Sequence, residues 1–253
     1  MRFPAQDLVA RDPQSKTLAE AVFRRLRADL LVGRFPPGHR LRLDELRLNY
    51  GASGTVIREA LFQLTSAGFV TAEGQRGFRV AEISEQDLLD LTKTRVWIES
   101  LALRSAIALG DRGWEAEVLA AAHRLGPVQP FYDGDNPDDL DEAWVTAHRS
   151  YHRTLVAACR SPRLLGYRAQ LHDLSDRYKR VAGIKSKGTR DLAAEHKALT
   201  NAVLNRDPHQ ASACIEEHFL ATTATNLADI GRCPSDIATL LDRLRAEIRA
   251  GMP

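Results

Sequence analysis

Residues 51–80 read GASGTVIREALFQLTSAGFVTAEGQRGFRV, and this stretch decides the fold of the first third of the chain. Ser53 is a favourable N-cap, because its hydroxyl can accept a hydrogen bond from a free amide of the first helical turn. Apolar residues behind it recur at helical spacing and predict an inward-facing stripe of Val56, Ala60, Leu61 and Leu64, with Ile57 at its edge. Residues 69–73 and 77–80 then predict two strands around the tip 74–76.

Two further helices are predicted before this stretch. Residues 18–32 carry apolar side chains at helical spacing, with Thr17 as N-cap and Glu20 three residues later as the second half of a capping box. A short helix over 44–50 follows, and Gly51 can end it because glycine adopts a positive φ without strain. The order helix, helix, turn, helix and hairpin is that of a winged helix-turn-helix.

The front of the third predicted helix carries residue types that bind nucleic acid. Ser53 and Thr55 can bond phosphate oxygens at a helix N-terminus, where free backbone amides already attract anions. Arg58, one turn further on, can reach guanine N7 and O6 in the major groove. Arg76 and Gly77 lie at the hairpin tip, where a glycine lets the backbone approach a narrow groove. Taken alone, these arginines could simply keep a small helical domain soluble. The ordered series of three helices and a basic hairpin instead favours binding to double-stranded DNA.

Three segments carry a resemblance to a known family: LLVGRFPPGHRL, GASGTVIREAL and GFVTAEGQRGFRV. Over residues 17–80 they resemble the DNA-binding domain of the GntR family of bacterial transcription regulators. In that family the third helix and the wing tip touch DNA, which implies contacts here by Ser53, Thr55, Arg58, Arg76 and Gly77. Gly54 departs from the pattern, because the family usually has a base-contacting arginine at this position. Arg42 or Arg47 of the second helix could replace the base contact of that arginine, or the operator sequence could differ from the usual one of the family.

Composition and charge are consistent with this division of labour. Hydrophobic residues make up 44% of the 253 and aromatic residues 6%, which favours packed helices over a sheet-rich fold. Residues 1–80 contain 13 Lys and Arg against 8 Asp and Glu, whereas the whole chain has a formal net charge of +2. Three cysteines without a CxxC pair favour the reducing cytoplasm over a disulfide framework. No run of about 18 apolar residues predicts a membrane span.

From Ser84 onward the chain reads as one helix after another. Helices are predicted over 84–109, 114–125, 140–159, 162–181, 189–205, 208–230 and 234–249, with loops over 126–139 and 183–188. The predicted fold class is therefore mostly α, with a winged helix-turn-helix followed by an all-α helical bundle. The predicted domains are an N-terminal arm (1–16), the DNA-binding domain (17–82), an effector- and metal-binding domain (83–231) and a C-terminal helical extension (232–253).

Four histidines of the predicted bundle stand at positions that can converge. His148 and His152 are four residues apart and share one helix face, while His196 and His218 lie in two later helices. Three helices of a bundle can direct such imidazoles to one interior point, and imidazole is a ligand for zinc, nickel and similar divalent ions. The pair alone also fits two histidines that share a face by chance and point into water.

A second resemblance covers residues 84–230. The segments DLLDLTKTRVWIESLALRSA, AHRSYHRTLVAACRSPRLL, EHKALTNAVLNRDPHQA and IEEHFLATT resemble the FCD effector domain of the FadR branch of GntR regulators. Many FCD domains bind a divalent metal through one Asp and three His. The resemblance implies His152, His196 and His218 as ligands, with His148 at the Asp position, where it either ligates without adding negative charge or leaves the fourth ligand absent.

The same resemblance implies a small-molecule site beside the metal. Arg95 resembles a characteristic arginine of the family and could clamp a carboxylate, although a salt bridge to Glu99 one turn later is an equal alternative. Arg177 and Tyr178 are weaker candidates for effector binding. The segments WEAEVLAAAHRL and HRTLVAAC also resemble a branch that includes glutarate-responsive repressors, which implies an organic acid or dicarboxylate effector.

These observations together predict a metal-containing, ligand-responsive transcription regulator, with repression as the expected mode. It is expected to bind a palindromic operator as a homodimer, to hold zinc or another divalent ion, and not to be an enzyme. One alternative is a metal-dependent hydrolase in which Glu195 activates water. Another is a non-specific DNA-binding protein, which the modest net charge of +2 argues against.

Overall fold

The computed structural model of the chain describes residues 15, 17–126, 128, 141–182 and 190–251. The predicted arm over 1–16, apart from Ser15, lies outside these residues, as do most of the predicted loop over 126–139 and the predicted loop over 183–188. The chain divides into two compact units, Met1–Ser84 and Glu85–Pro253. Each unit contains its own set of buried apolar side chains.

The first unit contains three helices, α1 (Leu18–Leu31), α2 (Leu43–Tyr50) and α3 (Gly54–Ser66). Both predicted N-caps form: the amide of Glu20 donates to Thr17 Oγ1 at 3.1 Å, and the amide of Val56 donates to Ser53 Oγ at 3.4 Å. Gly51 has a φ of 60°, the left-handed conformation that ends α2 and lets the chain turn into α3.

The buried face of α3 differs by one residue from the predicted stripe. Ala60, Leu61 and Leu64 are fully buried as predicted, but Ile57 is also fully buried whereas Val56 is only half-buried. The prediction that Val56 faces inward and Ile57 lies at the edge is therefore wrong. Adjacent residues of a helix differ by about 100° in direction, and packing of α3 against α1 decides between them.

The wing is a three-stranded antiparallel sheet made of β1 (Arg40–Leu41), β2 (Val70–Ala72) and β3 (Phe78–Val80), in the order β1-β3-β2. The two predicted strands of the hairpin are present, joined by a short 3-10 turn over Gly74–Arg76. Strand β1 was not predicted, because two residues are too few to show an alternating pattern. It pairs Leu41 with Phe78 and so ties the segment before α2 to the wing.

The second unit is all-helical within the described residues. Its helices are α4 (Glu85–Leu109), α5 (Arg112–Leu125), α6 (Glu142–Leu155), α7 (Pro162–Ala182), α8 (Leu192–Leu204), α9 (Pro208–Asp229) and α10 (Pro234–Ala250). Helix α4 packs against α7 and α9, α5 packs against α6, and α8 packs against α9. Leu103, Tyr151, Leu155, Leu199 and Ile215 are among the fully buried side chains of this core.

Helix α6 ends earlier than predicted. The predicted helix ran to Cys159, but the α-helix stops at Leu155 and a 3-10 turn over Ala157–Cys159 follows. Arg160 then takes a φ of 53° and redirects the chain into α7. The sequence AACRSP has neither Gly nor Asn to mark this stop.

The segment predicted as a C-terminal extension contributes α10, which packs against α4 and α9 within the second unit. The indole N–H of Trp97 on α4 donates to the carbonyl oxygen of Ile248 on α10 at 3.0 Å. No helix in the described part of the chain is both long and apolar enough to cross a membrane.

Candidate metal centre and nucleic-acid interface

Helices α6, α8 and α9 bring four histidines together, and we call His148, His152, His196 and His218 the imidazole cluster. One ring nitrogen from each histidine lies within 4.8 Å of the corresponding nitrogens of the others, and all four residues are buried. His148 Nε2 and His152 Nε2 are 3.2 Å apart. Two nitrogens on one tetrahedral zinc ion, each at 2.0–2.1 Å from it, are about 3.4 Å apart, so this spacing suits a shared cation.

Burial keeps the imidazole cluster neutral. It lowers the pKa of His148 and of His152 well below the ordinary value, and neighbouring positive charges act in the same direction. It also lowers the pKa of His196 to about 3 and that of His218 below its ordinary value. Neutral imidazole is the form that offers a lone pair to a metal ion.

Two atoms of the imidazole cluster are buried without a hydrogen-bond partner among the described residues. They are His152 Nδ1 and His196 Nε2. An unpaired buried polar atom costs about 1–3 kcal/mol. His152 directs its Nε2 towards His148, so a shared cation would compensate for His196 Nε2 and not for His152 Nδ1. The donor set, its spacing and the unpaired His196 Nε2 together fit a divalent metal ion.

Glu195 and Arg190 surround the fourth histidine. Glu195 Oε2 lies 2.7 Å from His218 Nδ1, so the carboxylate accepts the Nδ1 proton and leaves the Nε2 lone pair for the cluster. Arg190 Nη2 in turn donates to Glu195 Oε2 at 2.5 Å and to the carbonyl oxygen of His218 at 3.2 Å. Burial raises the pKa of Glu195, but hydrogen bonds from His218 and Arg190 outweigh it and bring the value to about 2.

This arrangement gives Glu195 a positioning role. In the hydrolase alternative its carboxylate takes a proton from water, but here the oxygens of Glu195 already accept from His218 and Arg190. The sequence placed Glu195 near the histidines but gave no sign that it would orient one of them. Arg190, 28 residues from His218 along the chain, was not predicted at all.

The remaining walls of the cluster are aromatic and hydroxylic. The Trp144 indole stacks on His148 with ring centroids 4.4 Å apart. The hydroxyl of Tyr151 lies 2.8 Å from Thr200 Oγ1 and donates to the carbonyl oxygen of His196 at 3.0 Å. These contacts fix the rotation of α6 and α8, and with it the direction of their imidazoles.

Arg95 is buried on α4 close to the imidazole cluster. Its Nη1 donates to Ser175 Oγ at 2.6 Å, and its guanidinium carbon lies 3.9 Å from the centroid of the Phe219 ring. Burial lowers the pKa of Arg95 to about 10, against the attraction of nearby carboxylates. Phe219 follows His218 directly on α9, and its ring centroid is 5.9 Å from that of the histidine.

The salt bridge from Arg95 to Glu99, one of the two alternatives for this arginine, does not form, and Glu99 pairs with another arginine. Glu99 accepts from Arg168 Nε at 2.8 and 3.1 Å, and both side chains are buried. Arg168 lies on α7, 69 residues away along the chain, which is why helical spacing on α4 could not reveal it.

Helix α7 contributes a second group of charges near His148. Asp176 lies 3.1 Å from His172 Nδ1 and 3.2 Å from Lys179 Nζ, and the field of Lys179 helps to lower the pKa of His148. The sequence singled out Arg177 and Tyr178 on this helix. Tyr178 donates its hydroxyl proton to Asp87 at the start of α4. Arg177 is buried, and because it follows Asp176 directly, its side chain leaves α7 in a direction about 100° from that of Asp176.

A cavity of about 430 Å³ adjoins the imidazole cluster. Its walls come from α5, α6 and α8 and the residues before α8, and they include Leu125, Trp144, Arg190, His196 and Lys197. A small molecule in this space would contact apolar side chains and two cationic ones, with His196 in its wall.

In the first unit, α3 presents its predicted DNA-contacting residues on an exposed face. Ser53, Thr55 and Arg58 are all exposed, and Arg58 forms no hydrogen bond or ion pair with another described residue. On α2, Arg47 Nη1 lies 3.4 Å from Asp44 Oδ1. Arg42, just before that helix, lies 3.7 Å from Glu45.

The wing tip carries Arg76, which is exposed, and Gly77, which has a φ of 96°. This φ favours glycine, and a Cβ on Gly77 would meet no atom within 4 Å, so the backbone here is open to close approach. Arg40 Nη2 donates to the carbonyl oxygen of Arg76 at 3.0 Å and so positions the tip. Arg40 was not predicted, because its partner lies 36 residues away.

Comparisons with known proteins bear on both units. The profile of gntR-family bacterial regulatory proteins matches residues 18–80, and that of the FCD domain matches residues 90–221. The helix-turn-helix transcriptional regulator BphR of Paraburkholderia xenovorans (strain LB400) is 36% identical over 204 residues, 81% of this chain and 83% of that protein. The helix-turn-helix transcriptional repressor GlaR of Escherichia coli (strain K12) is 37% identical over 202 residues, 78% of this chain and 90% of that protein.

This chain therefore belongs to the GntR family of bacterial regulatory proteins and carries an FCD domain. Its relatives are transcription regulators and not enzymes, as predicted. The structure of E. coli McbR/YncC has a TM-score of 0.68 at 21% identity, covering 86% of this chain and 100% of that one. A GntR regulator from Rhodococcus sp. RHA1 has a TM-score of 0.64 at 20% identity, covering 83% and 97%. These likenesses confirm the predicted fold class.

Proposed function

We propose that this GntR-family chain is a metal-containing repressor whose DNA binding is controlled by a small organic acid. The observation that carries the proposal is the convergence of four buried, neutral imidazoles in the all-helical unit that follows the winged helix-turn-helix. The repressor mode is supported by the name of GlaR, a relative that is 37% identical.

His148, His152, His196 and His218 would hold the metal, with zinc the preferred ion and nickel or another divalent ion the alternative. Four neutral ligands leave the full charge of such an ion uncompensated, and a carboxylate oxygen would bind it as a fifth ligand, or in place of His148 if only three histidines ligate. Glu195 supports this arrangement by fixing the tautomer of His218.

Arg95 is the leading candidate for the second anchor of the effector. A guanidinium has five N–H donors, and Arg95 uses one of them in a described contact, to the neutral hydroxyl of Ser175. A free carboxylate can accept two parallel hydrogen bonds from it. An organic acid or dicarboxylate suits both anchors, and Arg177 and Tyr178 remain secondary candidates on α7.

The DNA-binding unit would dock α3 in the major groove and the wing against the backbone or minor groove. Ser53, Thr55 and Arg58 serve the helix, and Arg76 and Gly77 serve the wing. A single module of this size buries about 600–1,000 Å² on DNA, which gives limited affinity and specificity. We therefore infer a homodimer that binds a palindromic operator with one module on each half-site.

The test combines metal analysis with selection of DNA. Purified full-length protein should contain, or take up, about one divalent ion per chain, and His152→Ala should lose it while the exposed His123→Ala keeps it. Selection from a library of randomised duplexes should yield a palindromic consensus, and short dicarboxylates should release the protein from it. Wild-type protein that binds no divalent ion, or a selection without a two-fold consensus, contradicts the proposal.

A further inference from the structure

Gly54 is the first residue of α3, and the side chain of Arg47 lies beside the point from which a side chain on residue 54 would extend. A Cβ built on Gly54 would be 3.6 Å from Arg47 Cδ, an ordinary van der Waals contact. We propose that Arg47 supplies the guanidinium at the front of the recognition helix and reads the base pair next to that read by Arg58. The inference rests on the proposed docking of α3 in the major groove.

The local fold explains how α2 can serve α3 in this way. Arg47 lies in the last turn of α2, and Gly51 with its φ of 60° turns the chain back so that α3 starts three residues later. Residues 54 and 58 are four apart on a helix and share one face. The side chain of Arg47, which lies beside residue 54, is therefore on the same face of α3 as Arg58.

The backbone does not explain why residue 54 is a glycine. Its conformation is helical and not left-handed, so other residues could adopt it. A glycine leaves the start of α3 without a side chain that extends beyond Cβ, and the stem of Arg47 lies beside this position. The same space could hold one arginine side chain from position 54 or one from position 47.

The contacts of the two cations at α2 favour Arg47 over Arg42. Arg47 lies 3.4 Å from Asp44, and both side chains are largely exposed, so this ion pair holds the guanidinium only weakly. Arg42 is the residue before α2, lies 3.7 Å from Glu45 and is not among the atoms nearest to the Gly54 position. Arg47 is thus free to exchange Asp44 for a base edge at little cost.

The experiment uses full-length protein and the duplexes that wild-type protein selects from a randomised library. Arg47→Ala should lose about ten- to a hundredfold in affinity for the selected sequence. It should also lose the base preference at one position per half-site, beside the position that Arg58→Ala relaxes. Arg42→Ala is the matched control and should keep the preference. Gly54→Ala adds only a Cβ in ordinary contact and should bind like wild type.

The double variant Arg47→Ala/Gly54→Arg is the sharpest test, because it moves the guanidinium from α2 to α3 across the same space. It should regain most of the lost preference. An Arg47→Ala variant that weakens all duplexes equally and reduces the salt dependence shows a phosphate contact and overturns the inference. If Arg58→Ala also leaves binding unchanged, the docking of α3 itself is wrong.

Discussion

Glu195 offers a direct test of the proposed metal centre, since it contacts the imidazole cluster through one hydrogen bond. Its Oε2 lies 2.7 Å from His218 Nδ1 and 2.5 Å from Arg190 Nη2. In Glu195→Gln the side-chain oxygen can still accept a hydrogen bond, but the negative charge is gone. The imidazole of His218 then becomes a weaker ligand and is held less firmly in the required tautomer.

The magnitude follows from the type of contact. Removing a carboxylate that orients a metal-bound histidine typically lowers metal affinity about 10- to 100-fold, or about 1.4–2.8 kcal/mol. Because Glu195 contacts one imidazole of four, we expect zinc still to bind and the dissociation constant to rise within this range. Replacement of Glu195 by Ala removes the acceptor as well and should lie at the upper end.

The assay is a titration of metal-stripped full-length protein with zinc in competition with a chromophoric chelator. Glu217→Gln is the matched control: it removes the same charge next to His218 in sequence, but that exposed carboxylate binds Arg245 at 3.1 and 3.2 Å. Equal zinc affinity in Glu195→Gln, Glu217→Gln and wild type would refute the positioning role of Glu195.

Two further predictions concern the DNA-binding unit. Ile57→Ala should lower the free energy of unfolding by about 2–5 kcal/mol, whereas Val56→Ala should cost about 1 kcal/mol; urea denaturation compares them, and equal losses would contradict the observed burial. Tyr50→Phe removes the proton donated to Asp29 Oδ2 at 2.5 Å, which should cost about 1–3 kcal/mol. Burial and this hydrogen bond raise the pKa of Tyr50 above its ordinary 10.0 in the folded state. The folded protein therefore keeps a proton that the unfolded chain releases, so this contribution is intact below pH 10 and is lost above it. Thermal unfolding should show a shallower alkaline loss of stability in Tyr50→Phe, and an unchanged slope would contradict the raised pKa.

Local signals were sufficient to predict most helices of this chain. Ser53 and Thr17 cap the helices that they were predicted to cap, and Gly51 takes the predicted positive φ. These features depend on a few adjacent residues, so the sequence shows them directly. Where two adjacent apolar residues compete for one buried position, as Val56 and Ile57 do, the choice depends on α1 and is not visible in the pattern.

The four histidines of the imidazole cluster were predicted from the sequence, but the contacts that support them were not. The spacing of His148 and His152 is a helical signal, and His196 and His218 lie in two later predicted helices. The resemblance to the FCD domain then implied His152, His196 and His218 as ligands. The carboxylate of Glu195 and the guanidinium of Arg190 act on His218 from 23 and 28 residues away, and Arg168 reaches Glu99 over 69. Such pairs are set by the packing of whole helices, which no local pattern encodes.

Arg95 differs from other cations of the second unit because it forms no ion pair with a described carboxylate. Three other cations each have a carboxylate partner: Arg168 with Glu99, Lys179 with Asp176, and Arg190 with Glu195. Within the described residues Arg95 binds only Ser175 and the face of Phe219. Glu99 and Asp176 attract this charge, but neither forms an ion pair with it, and a buried charge without an ion-pair partner is more easily explained by ligand binding than by stability.

Arg95→Met tests this reasoning, because it should separate stability from response. Arg95→Met removes a desolvated charge, which favours folding. It also removes the attraction of Glu99 and Asp176 and the contact with Phe219, the latter worth about 0.5–2 kcal/mol. A net gain of about 1 kcal/mol would raise the melting temperature of effector-free protein by roughly 2–4 °C. The same variant should no longer be stabilised by, or released from DNA by, short dicarboxylates, while Arg112→Met on an exposed surface changes neither. A variant that melts well below wild type would show that Arg95 supports the fold, and one that still responds would remove it from the effector site.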